Sequence, residues 1–429
     1  MKSDISFTRL KQFPPLMWVL LFGSFITRGS FYMVWPFLAV ILYEKFALSA
    51  TEVGSILSLA AIISVFISFI GSTLSDKFGR KPMMFGTGIL YIISFSLLAE
   101  ADSVLAFTIV ITLCSIATSL WRPLTSALIG DILPQTESRE LAMQSLYFAV
   151  NVGCAIGPML GVWLGLTGEQ SSFYITVVAF AILLLLLFVG FKHQEKSATQ
   201  TTASNESDTL IVAKKKKNTS FSKTLEILIK DRLLQCLILA NVLCLFIYGQ
   251  MDSSLIQYLT REQVPNLLEL ISSMIFVNAL VIISCQFVLL KLMASRPLLV
   301  RIRIGLVMLM LSQVWFAINP LHFFIGWIGA VIIMSLAEAI LFPTMNVHVD
   351  RIAPEKLRGA YFGATAFYDL GFAIAPIGGG IILDLYDGTW LFSLCAGIAL
   401  IVFGLYHIMG TLNRPDFVTE QLNSAEKTN

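Results

Sequence analysis

One short polar stretch near the start of the chain decides how the rest is organised: residues 71–82, GSTLSDKFGRKP. Gly71 and Gly79 permit close helix packing and a tight turn, because glycine carries no Cβ atom. Asp76 stands where a carboxylate can cap or pair with a neighbouring helix end, and Arg80 and Lys81 supply positive charge. Apolar residues dominate on both sides of this stretch. It therefore predicts a charged turn that joins two apolar helices.

Apolar runs of similar length recur along the chain outward from this turn. A helix that crosses the roughly 30 Å hydrocarbon layer of a membrane needs about 20 mostly apolar residues. Runs such as residues 181–190, AILLLLLFVG, lack the alternating polarity of barrel strands, which favours helices over a β-barrel. Cutting the chain at charges, prolines and glycines predicts twelve spans: 15–43, 53–74, 82–100, 104–130, 142–166, 172–191, 233–259, 266–290, 303–318, 322–347, 359–383 and 389–410.

The composition also indicates a multi-pass membrane protein. Hydrophobic residues make up 56% of the 429 residues, and mean hydropathy is +0.80. Charged residues make up 13%, about half of the ~25% that is usual in soluble proteins. A formal charge of +2 gives no reason to expect nucleic-acid binding. The six cysteines form no C-x-x-C pair, so we predict neither disulfides nor a metal site, and no cofactor.

Lysine and arginine lie almost entirely on one predicted side of the membrane. If the amino terminus is cytoplasmic, 25 of the 29 lie on the cytoplasmic side, whereas only Lys45 and Arg261 lie opposite and Arg28 and Arg122 lie inside spans. The positive-inside rule then predicts an inner (plasma) membrane protein of bacterial type with both termini cytoplasmic. The run of four lysines at 214–217 is either a solvated charge run or a lipid-binding segment.

The chain consists of two similar halves. A shift of 220 residues places Gly29 on Gly249, and a shift of 218 places residues 153–161, GCAIGPMLG, on residues 371–379, GFAIAPIGG. Parallel repeats of this kind are typical of transporters whose substrate site lies between the halves at mid-membrane. The predicted parts are a six-helix bundle (1–192), a cytoplasmic linker (193–232), a second six-helix bundle (233–410) and a cytoplasmic tail (411–429).

Residues 71–82 resemble the signature G-x-x-x-(S/A)-D-(R/K)-x-G-(R/K)-(R/K) of the major facilitator superfamily. The resemblance implies an all-α membrane protein with twelve transmembrane helices in two pseudo-symmetric six-helix bundles that rock around a central site. In that family this loop latches the halves on the cytoplasmic side. The corresponding loop of the second half, 291–303, lacks the motif, so the latch is expected to be asymmetric. The implied gating residues are Gly71, Asp76, Gly79, Arg80, Lys81 and, from the fourth span, Asp131.

The fifth predicted span carries a second motif, in which Gly153, Gly157 and Gly161 recur every four residues and Pro158 follows the second glycine. This spacing puts the three glycines on one helix face, where another helix can approach closely. Pro158 removes a backbone hydrogen bond and can bend the helix. The pattern resembles the G-x-x-x-G-P-x-x-G motif of the twelve-helix drug:H+ antiporter branch, which implies export. Ordinary tight packing of helices would use the same spacing.

The fourth predicted span departs from the family pattern. Residues 123–134 resemble the end of the family's fourth-helix motif. The arginine that opens that motif is replaced by Ile111, and an arginine stands eleven residues later as Arg122. The proton-relay role that the family gives to this arginine is therefore not carried over.

Five charged residues lie away from the ends of the predicted spans, where a charge costs roughly 2.5–3.5 kcal/mol and normally faces the bundle interior: Arg28, Arg122, Asp252, Glu338 and Asp369. Helical spacing groups several of them with polar neighbours, so a water-filled cavity is predicted. Structural ion pairs, for example between Arg28 and Asp252, are the alternative. The candidate proton carriers are Glu338, Asp369 and Asp252. The candidate substrate contacts are Arg28, Tyr32, Trp35, Arg122, Tyr248, Asp252 and Glu338.

The predicted function is proton-coupled efflux of a small organic solute, such as a drug, amino acid, peptide or siderophore. Two alternatives remain: a proton-coupled symporter that imports a nutrient, and a membrane sensor or scaffold that transports nothing. The sequence has no phosphate-binding P-loop, no Ser-His-Asp pattern and no metal-ligand pattern, so an enzyme is not expected. The expected partners are the solute, protons and the lipid bilayer, with the protein working as a monomer.

Overall fold

The computed structural model describes residues 11–133, 135–166, 169–202, 228–353, 361 and 364–412, and the regular structure in these ranges is helical. Among them are fourteen α-helices: α1 (Pro15–Val34), α2 (Leu38–Phe46), α3 (Ala50–Phe78), α4 (Arg80–Glu100), α5 (Val104–Ile132), α6 (Thr136–Trp163), α7 (Phe173–Thr202), α8 (Arg232–Gly249), α9 (Ser254–Arg261), α10 (Leu267–Leu292), α11 (Leu298–Ile318), α12 (Phe324–Ile352), α13 (Asp369–Leu385) and α14 (Gly388–Met409).

Eleven helical stretches in the described residues are long and apolar enough to cross a membrane. Helices α1 and α2 together form the first of them, and α8 and α9 together form another. Helix α13 occupies the eleventh predicted span, and its 17 described residues fall just short of a full crossing. The predicted all-helical membrane fold is therefore confirmed. Lysines 214–217 lie outside the described residues.

Two predicted spans, 15–43 and 233–259, are interrupted in their interior although the sequence predicted continuous helices. In a third, 359–383, a 3-10 turn (Thr365–Tyr368) precedes α13. The first span contains a 3-10 turn, Trp35–Phe37, between α1 and α2. Pro36 lies in this turn and has no backbone N–H to continue an α-helix. The seventh span is interrupted by a turn over residues 250–253 between α8 and α9. The two breaks lie near corresponding positions of the two halves.

Glycines bring helices together in the same way in both halves. A Cβ atom at Gly157 would lie 2.2 Å from the carbonyl oxygen of Gly29, so α6 and α1 meet backbone to backbone. A Cβ atom at Gly153 would lie 2.6 Å from the carbonyl oxygen of Phe25. In the second half, a Cβ atom at Gly371 would lie 2.2 Å from the carbonyl oxygen of Val242, which joins α13 to α8. The repeat in the sequence thus corresponds to similar helix-to-helix contacts at glycines in the two halves.

The charged turn after the second span is shorter than the sequence predicted. Helix α3 continues to Phe78, and Gly79 turns the chain with φ +91°, a conformation that favours glycine. Arg80 then begins α4, and its Nε atom lies 3.4 Å from Oδ2 of Asp131 at the end of α5. The side chains of residues 68–77, among them Asp76, lie outside the described part of the structure.

The two ends of the bundle differ, and we name them by their turns. The basic side carries the turn at Gly79 and the turn at residues 293–297. The opposite side carries the connections at residues 47–49 and 386–387. On the opposite side, five of the nine residues of α2 and six of the eight residues of α9 are buried. The bundle is therefore tightly packed at this end.

One carboxylate joins the two halves on the opposite side. Asp384, at the end of α13, accepts hydrogen bonds from the backbone N–H groups of Ala50 (2.9 Å) and Thr51 (2.7 Å) at the start of α3. It therefore caps a helix of the first half from the second half. Arg261 adds a second connection by donating to the carbonyl oxygen of Leu48 at 2.8 Å. We call these contacts the Asp384 clamp.

The two helices joined by the Asp384 clamp, α3 and α13, stay in close contact from the clamp toward the basic side. A Cβ atom at Gly54 would lie 2.2 Å from the carbonyl oxygen of Pro376. Ser58 accepts a hydrogen bond of 3.0 Å from the backbone N–H of Ile377. Helices α3 and α13 therefore meet without a gap over two further turns of α3.

Candidate functional site

Glu338 lies in the middle of α12 and is held by two polar side chains from other helices. The Tyr248 hydroxyl on α8 donates to Oε2 of Glu338. Nδ2 of Asn278 on α10 lies 3.0 Å from the same oxygen. Asn278 also lies 3.0 Å from the hydroxyl of Ser335, one turn before Glu338. Three helices of the second half therefore converge on one carboxyl group.

The position of Tyr248 is fixed by aromatic packing. Its ring meets those of Phe342 and Phe372 edge to face, with centroids 5.2 and 5.7 Å away. The ring itself is buried, whereas Glu338 is only partly buried. The hydroxyl of Tyr248 is thus presented to a carboxyl group that solvent can still reach.

Asp252 lies beside this cluster, in the turn that breaks the seventh span. Its side chain is exposed, unlike those of its neighbours Met251 and Ser253. It lies within electrostatic range of Tyr32 on α1 and of Glu338. A second acid therefore stands between the Glu338 cluster and the first half.

Arg28 lies on α1 in the first half and lines a small cavity there. Its Cζ atom stands 5.7 Å from the centre of the Phe31 ring, and Tyr32, Tyr91 and Cys154 are its electrostatic neighbours. No described carboxylate lies within salt-bridge distance of its guanidinium. The ion pair between Arg28 and Asp252 that the sequence left open is therefore not formed.

A small cavity opens beside Arg28. The Tyr91 hydroxyl lies 2.9 Å from Oγ1 of Thr118, and the Tyr91 ring stacks on Phe180 with centroids 3.6 Å apart. Trp121 meets Phe180 edge to face at 5.3 Å. Aromatic rings and hydroxyl groups therefore surround the space into which Arg28 projects.

The structure brings together some of the predicted site residues and separates others. Tyr248 and Glu338 are hydrogen-bonded, with Asp252 nearby, and Arg28 lies beside Tyr32. Trp35 instead stacks on Phe31, with centroids 4.9 Å apart. The roles of all these residues remain predictions.

Two further predicted residues are placed differently. Asp369 is the first residue of α13 and is exposed, and the described hydrogen bonds of Glu338 do not involve it. The side chain of Arg122 lies outside the described part of the structure.

Asn278 and Tyr91 were missed by the sequence analysis. Asn278 carried a usable signal, because an amide in the middle of a long apolar run is expected to have a polar partner within the bundle. Tyr91 gave no such signal, since a tyrosine in an apolar helix is equally at home in the core.

The arrangement is suited to holding and releasing a proton. A carboxyl group that water can reach and that accepts hydrogen bonds from neutral donors can exist in either protonation state. In the described residues, no group of three or more His, Cys, Asp and Glu side chains could hold a metal ion.

Comparisons with known proteins agree with this picture. The family model of the Major Facilitator Superfamily matches residues 20–369. An uncharacterized MFS-type transporter of Bacillus subtilis, YqjV, is 29% identical and covers 91% of this chain and 92% of its own. A Na(+), Li(+), K(+)/H(+) antiporter of Planococcus maritimus is 26% identical and covers 92% and 95%.

Solved structures resemble the whole molecule. The crystal structure of the peptide transporter POT in complex with sulfate superimposes with a TM-score of 0.74 at 18% identity, covering 94% of this chain and 96% of that one. The nucleoside transporter NupG gives a TM-score of 0.71 at 14% identity, covering 93% and 100%. At these identities the likeness concerns the fold alone.

Proposed function

The chain belongs to the Major Facilitator Superfamily and is a multi-pass membrane protein and a secondary transporter rather than an enzyme; from this premise we propose that it exports a small organic solute in exchange for protons. The solute class includes drugs, amino acids, peptides and siderophores. The observation that carries the proposal is the Glu338 carboxyl group, which Tyr248 and Asn278 hold inside the bundle within reach of water.

Glu338 is the proposed proton carrier. Its hydrogen-bond donors, Tyr248 and Asn278, are neutral, so the carboxyl group can lose or gain a proton without breaking an ion pair. Asp252 and Asp369 are the further candidate carriers. Arg28 and Arg122 are the proposed contacts for an anionic part of the solute, with Tyr32 and Trp35 alongside.

The Asp384 clamp supports an alternating-access cycle. The opposite side is closed by buried helices, so we propose that the cavity opens to the basic side in this state. The excess of lysine and arginine assigns the basic side and both termini to the cytoplasm, in a bacterial inner membrane. The protein is proposed to work as a monomer, with the candidate site residues of both halves in one chain. The motif residues Gly71, Asp76, Gly79, Arg80, Lys81 and Asp131 form the proposed cytoplasmic latch.

Proton movement supplies enough energy for this task. One proton that moves inward across about 100 mV releases roughly 2.3 kcal/mol, before any pH gradient is added. That energy supports a concentration ratio of some tens-fold for the exported solute, because each 1.4 kcal/mol corresponds to about a factor of ten.

Exchange of a monovalent cation for protons is the second candidate. The antiporter of Planococcus maritimus that resembles this chain carries sodium, lithium and potassium according to its name. Two water-accessible carboxyl groups, Asp252 and Glu338, could also face such a cation.

Liposomes that contain the purified protein and a trapped pH dye separate these functions. With an acid interior, an exchanger makes the interior more alkaline when its substrate is added outside. We expect this response to an organic solute from a panel of ethidium, amino acids and dipeptides. A response to Na⁺ or K⁺ instead establishes cation exchange. Solute-driven acidification of vesicles with an alkaline interior contradicts export, and the absence of any substrate-dependent proton movement contradicts proton coupling.

A further inference from the structure

Three polar side chains in and just before α9 are buried with unused hydrogen-bonding atoms. Gln250, Ser254 and Gln257 are each at most 2% exposed. Four of their side-chain atoms have no hydrogen-bond partner among the described residues: Oε1 of Gln250, Oγ of Ser254, and Oε1 and Nε2 of Gln257. An unpartnered buried polar atom costs free energy, so proteins keep few of them. We call these three side chains the α9 polar face.

Two atoms of the α9 polar face lie beside the contact between the two halves. A Cβ atom at Gly379 of α13 would lie 1.9 Å from Oγ of Ser254 and 2.2 Å from Oε1 of Gln250. A Cβ atom at the next residue, Gly380, would lie 2.3 Å from the carbonyl oxygen of Ala50 in the first half. Successive residues of α13 therefore meet the α9 polar face and the start of α3.

Gln257 is turned toward the first half. Arg261 lies one helical turn after it, about 40° away around α9, and donates to the carbonyl oxygen of Leu48 in the first half. Tyr258 lies on the other side of Arg261 and packs on Trp327 in the second half, with ring centroids 6.3 Å apart. Helix α9 packs against α2 and α3 of the first half as well as against α13. The Gln257 amide is therefore buried on the first-half side of α9.

The hydrogen bonds of the α9 polar face do not hold the two halves together. Nε2 of Gln250 donates to the carbonyl oxygens of Phe246 and Ala375, both in the second half, and no described side-chain hydrogen bond of the face reaches the first half. Helix α9 is attached to α8 through the turn at residues 250–253, and a few residues in such a turn can absorb the backbone change of a hinge. Separation of α9 from the first half therefore breaks contacts of the Asp384 clamp but no hydrogen bond of the polar face.

We propose that the α9 polar face lines the path by which the solute leaves. The face is closed off in this state, and it meets water and the departing solute when α9 moves away from the first half. Its amide and hydroxyl groups then hydrogen-bond with water and with a polar solute, so the cost of burying them favours opening, whereas the Asp384 clamp opposes it. This inference rests on the proposed function, in which the opposite side opens in turn.

Labelling of single cysteines in the full-length protein in lipid nanodiscs tests whether the α9 polar face meets water. Each variant is made in a background without the six native cysteines, and the probe is a charged methanethiosulfonate reagent. Gln257→Cys should react at least threefold faster than Leu259→Cys, and adding Asp384→Ala should increase its rate further. Leu259→Cys is the matched control, because Leu259 is fully buried on the opposite face of the same helix.

An apolar side chain of similar size tests the energetic part of the proposal. Gln257→Met removes both unpartnered atoms of the amide, so we expect a higher midpoint of thermal unfolding. Spin labels at Glu44 and Glu262, both exposed on the opposite side, report the separation of the halves. Adding Gln257→Met to Asp384→Ala should lower the share of long distances about tenfold, the effect of one unpaired amide. Gln313→Met is the matched control and should leave the distances unchanged, because Gln313 is equally buried with an unpartnered Oε1 but lies within the second half.

Three results overturn the proposal: equal labelling of Gln257→Cys and Leu259→Cys in both backgrounds, a lower unfolding midpoint of Gln257→Met, and unchanged distances when Gln257→Met is added to Asp384→Ala. A lower midpoint would show that the amide has a partner in the closed state, such as bound water. Failure of proton exchange is separate. If liposomes show no substrate-dependent proton movement while labelling of Gln257→Cys still depends on the clamp, the proposed exchange fails and the exit lining stands.

Discussion

The two halves of the bundle, which we call the first wall and the second wall, use corresponding helices for different polar groups. A shift of 220 residues places Thr118 on Glu338 and Arg28 on Tyr248. In the first half, Thr118 pairs with Tyr91, and Arg28 meets no hydrogen-bond acceptor among the described residues. In the second half, Glu338 is held by Tyr248 and a second donor. One wall therefore presents a cation, and the other presents an acid that already has its donors.

The packing between helices changed far less than these polar groups. Gly157 meets Gly29 in the first half, and Ala375 meets Gly249 at the corresponding place in the second. The two walls thus differ in charge although the helix pairs behind them pack at similarly short distances. The different polar chemistry of the two walls therefore comes from single side chains on helix pairs that pack in the same way. Each variant described next alters one wall or the contact between the two halves.

Removing the carboxyl group of Glu338 from the second wall should have the largest effect on transport. Glu338→Gln keeps both hydrogen-bond donors close to a neutral amide but cannot release a proton. We expect proton-driven transport in liposomes to fall about 100-fold or more, as is usual when an essential charged group is lost. Moving the acid across the cavity, with Thr118→Glu added to Glu338→Gln, should not restore transport, because Tyr91 does not replace Tyr248 and Asn278.

The matched control for the acid is Glu269→Gln. Glu269 lies exposed in the first turn of α10, away from the cavity. It should transport as the unaltered protein does. Full proton-driven transport by Glu338→Gln would exclude Glu338 as the carrier, and rescue by Thr118→Glu would show that the two walls are interchangeable.

Adding one methyl group behind the first wall should destabilise the protein. Gly157→Ala drives a Cβ atom to 2.2 Å from the carbonyl oxygen of Gly29, and overpacking of this kind costs about 1–3 kcal/mol. The reverse change, Ala375→Gly, should cost about 0.5–1 kcal/mol through helix propensity. Thermal unfolding in detergent measures both. Gly404→Ala meets no atom within 4 Å and is the control; equal stability of Gly157→Ala and Gly404→Ala would contradict the tight contact.

The hydroxyl groups of Tyr248 and Tyr91 should affect the pH dependence of transport differently. Tyr248→Phe keeps the ring contacts but removes a donor to Glu338, so the carboxylate form is less stabilised and the proton is held more tightly. We expect the pH of half-maximal transport to rise and the rate at neutral pH to fall about tenfold. Tyr91→Phe should leave this pH unchanged, since its hydroxyl meets Thr118 and no acid. Equal shifts in both variants would refute the assignment of the proton to the second wall.

Weakening the Asp384 clamp should have the smallest effect. Asp384→Ala removes a helix cap between the halves, worth about 1 kcal/mol. Spin labels at Glu44 and Glu262, both exposed on the opposite side, should report a larger share of long distances, in a background without the native cysteines. Asp387→Ala removes a cap that lies within one half and should leave the distances unchanged. An unchanged distribution in Asp384→Ala would show that the clamp does not hold the halves together.

Much of the architecture could be predicted from the sequence, because lipid imposes apolar runs of fixed length. The same rule identified Glu338 and Asp252 as candidate site residues, since a charge inside an apolar run is rare and costly. The broken spans escaped this reasoning. Helical spacing placed Tyr248 and Asp252 on one continuous face, whereas the turn at residues 250–253 carries Asp252 out of the helix.

The partners of the site residues could not be predicted to the same extent. Asn278 reaches Glu338 from a different helix, sixty residues earlier in the chain, and hydropathy does not tell which faces meet. The cap that Asp384 provides rests on the backbone N–H groups of Ala50 and Thr51, which every residue except proline carries, so residue types alone do not identify the receiving side. Tertiary contacts made through the main chain leave no trace in residue types.

The contact between Asp384 and the start of α3 allows a single residue to change how firmly the two halves are held together on the opposite side. Asp384 accepts from peptide nitrogens, yet the contact also depends on a small residue at position 50, because Ala50 is fully buried where α3 meets α13. A substitution of Asp384 is therefore expected to shorten the time for which the proposed outward pathway stays shut, and turnover would change without any substitution in the first half.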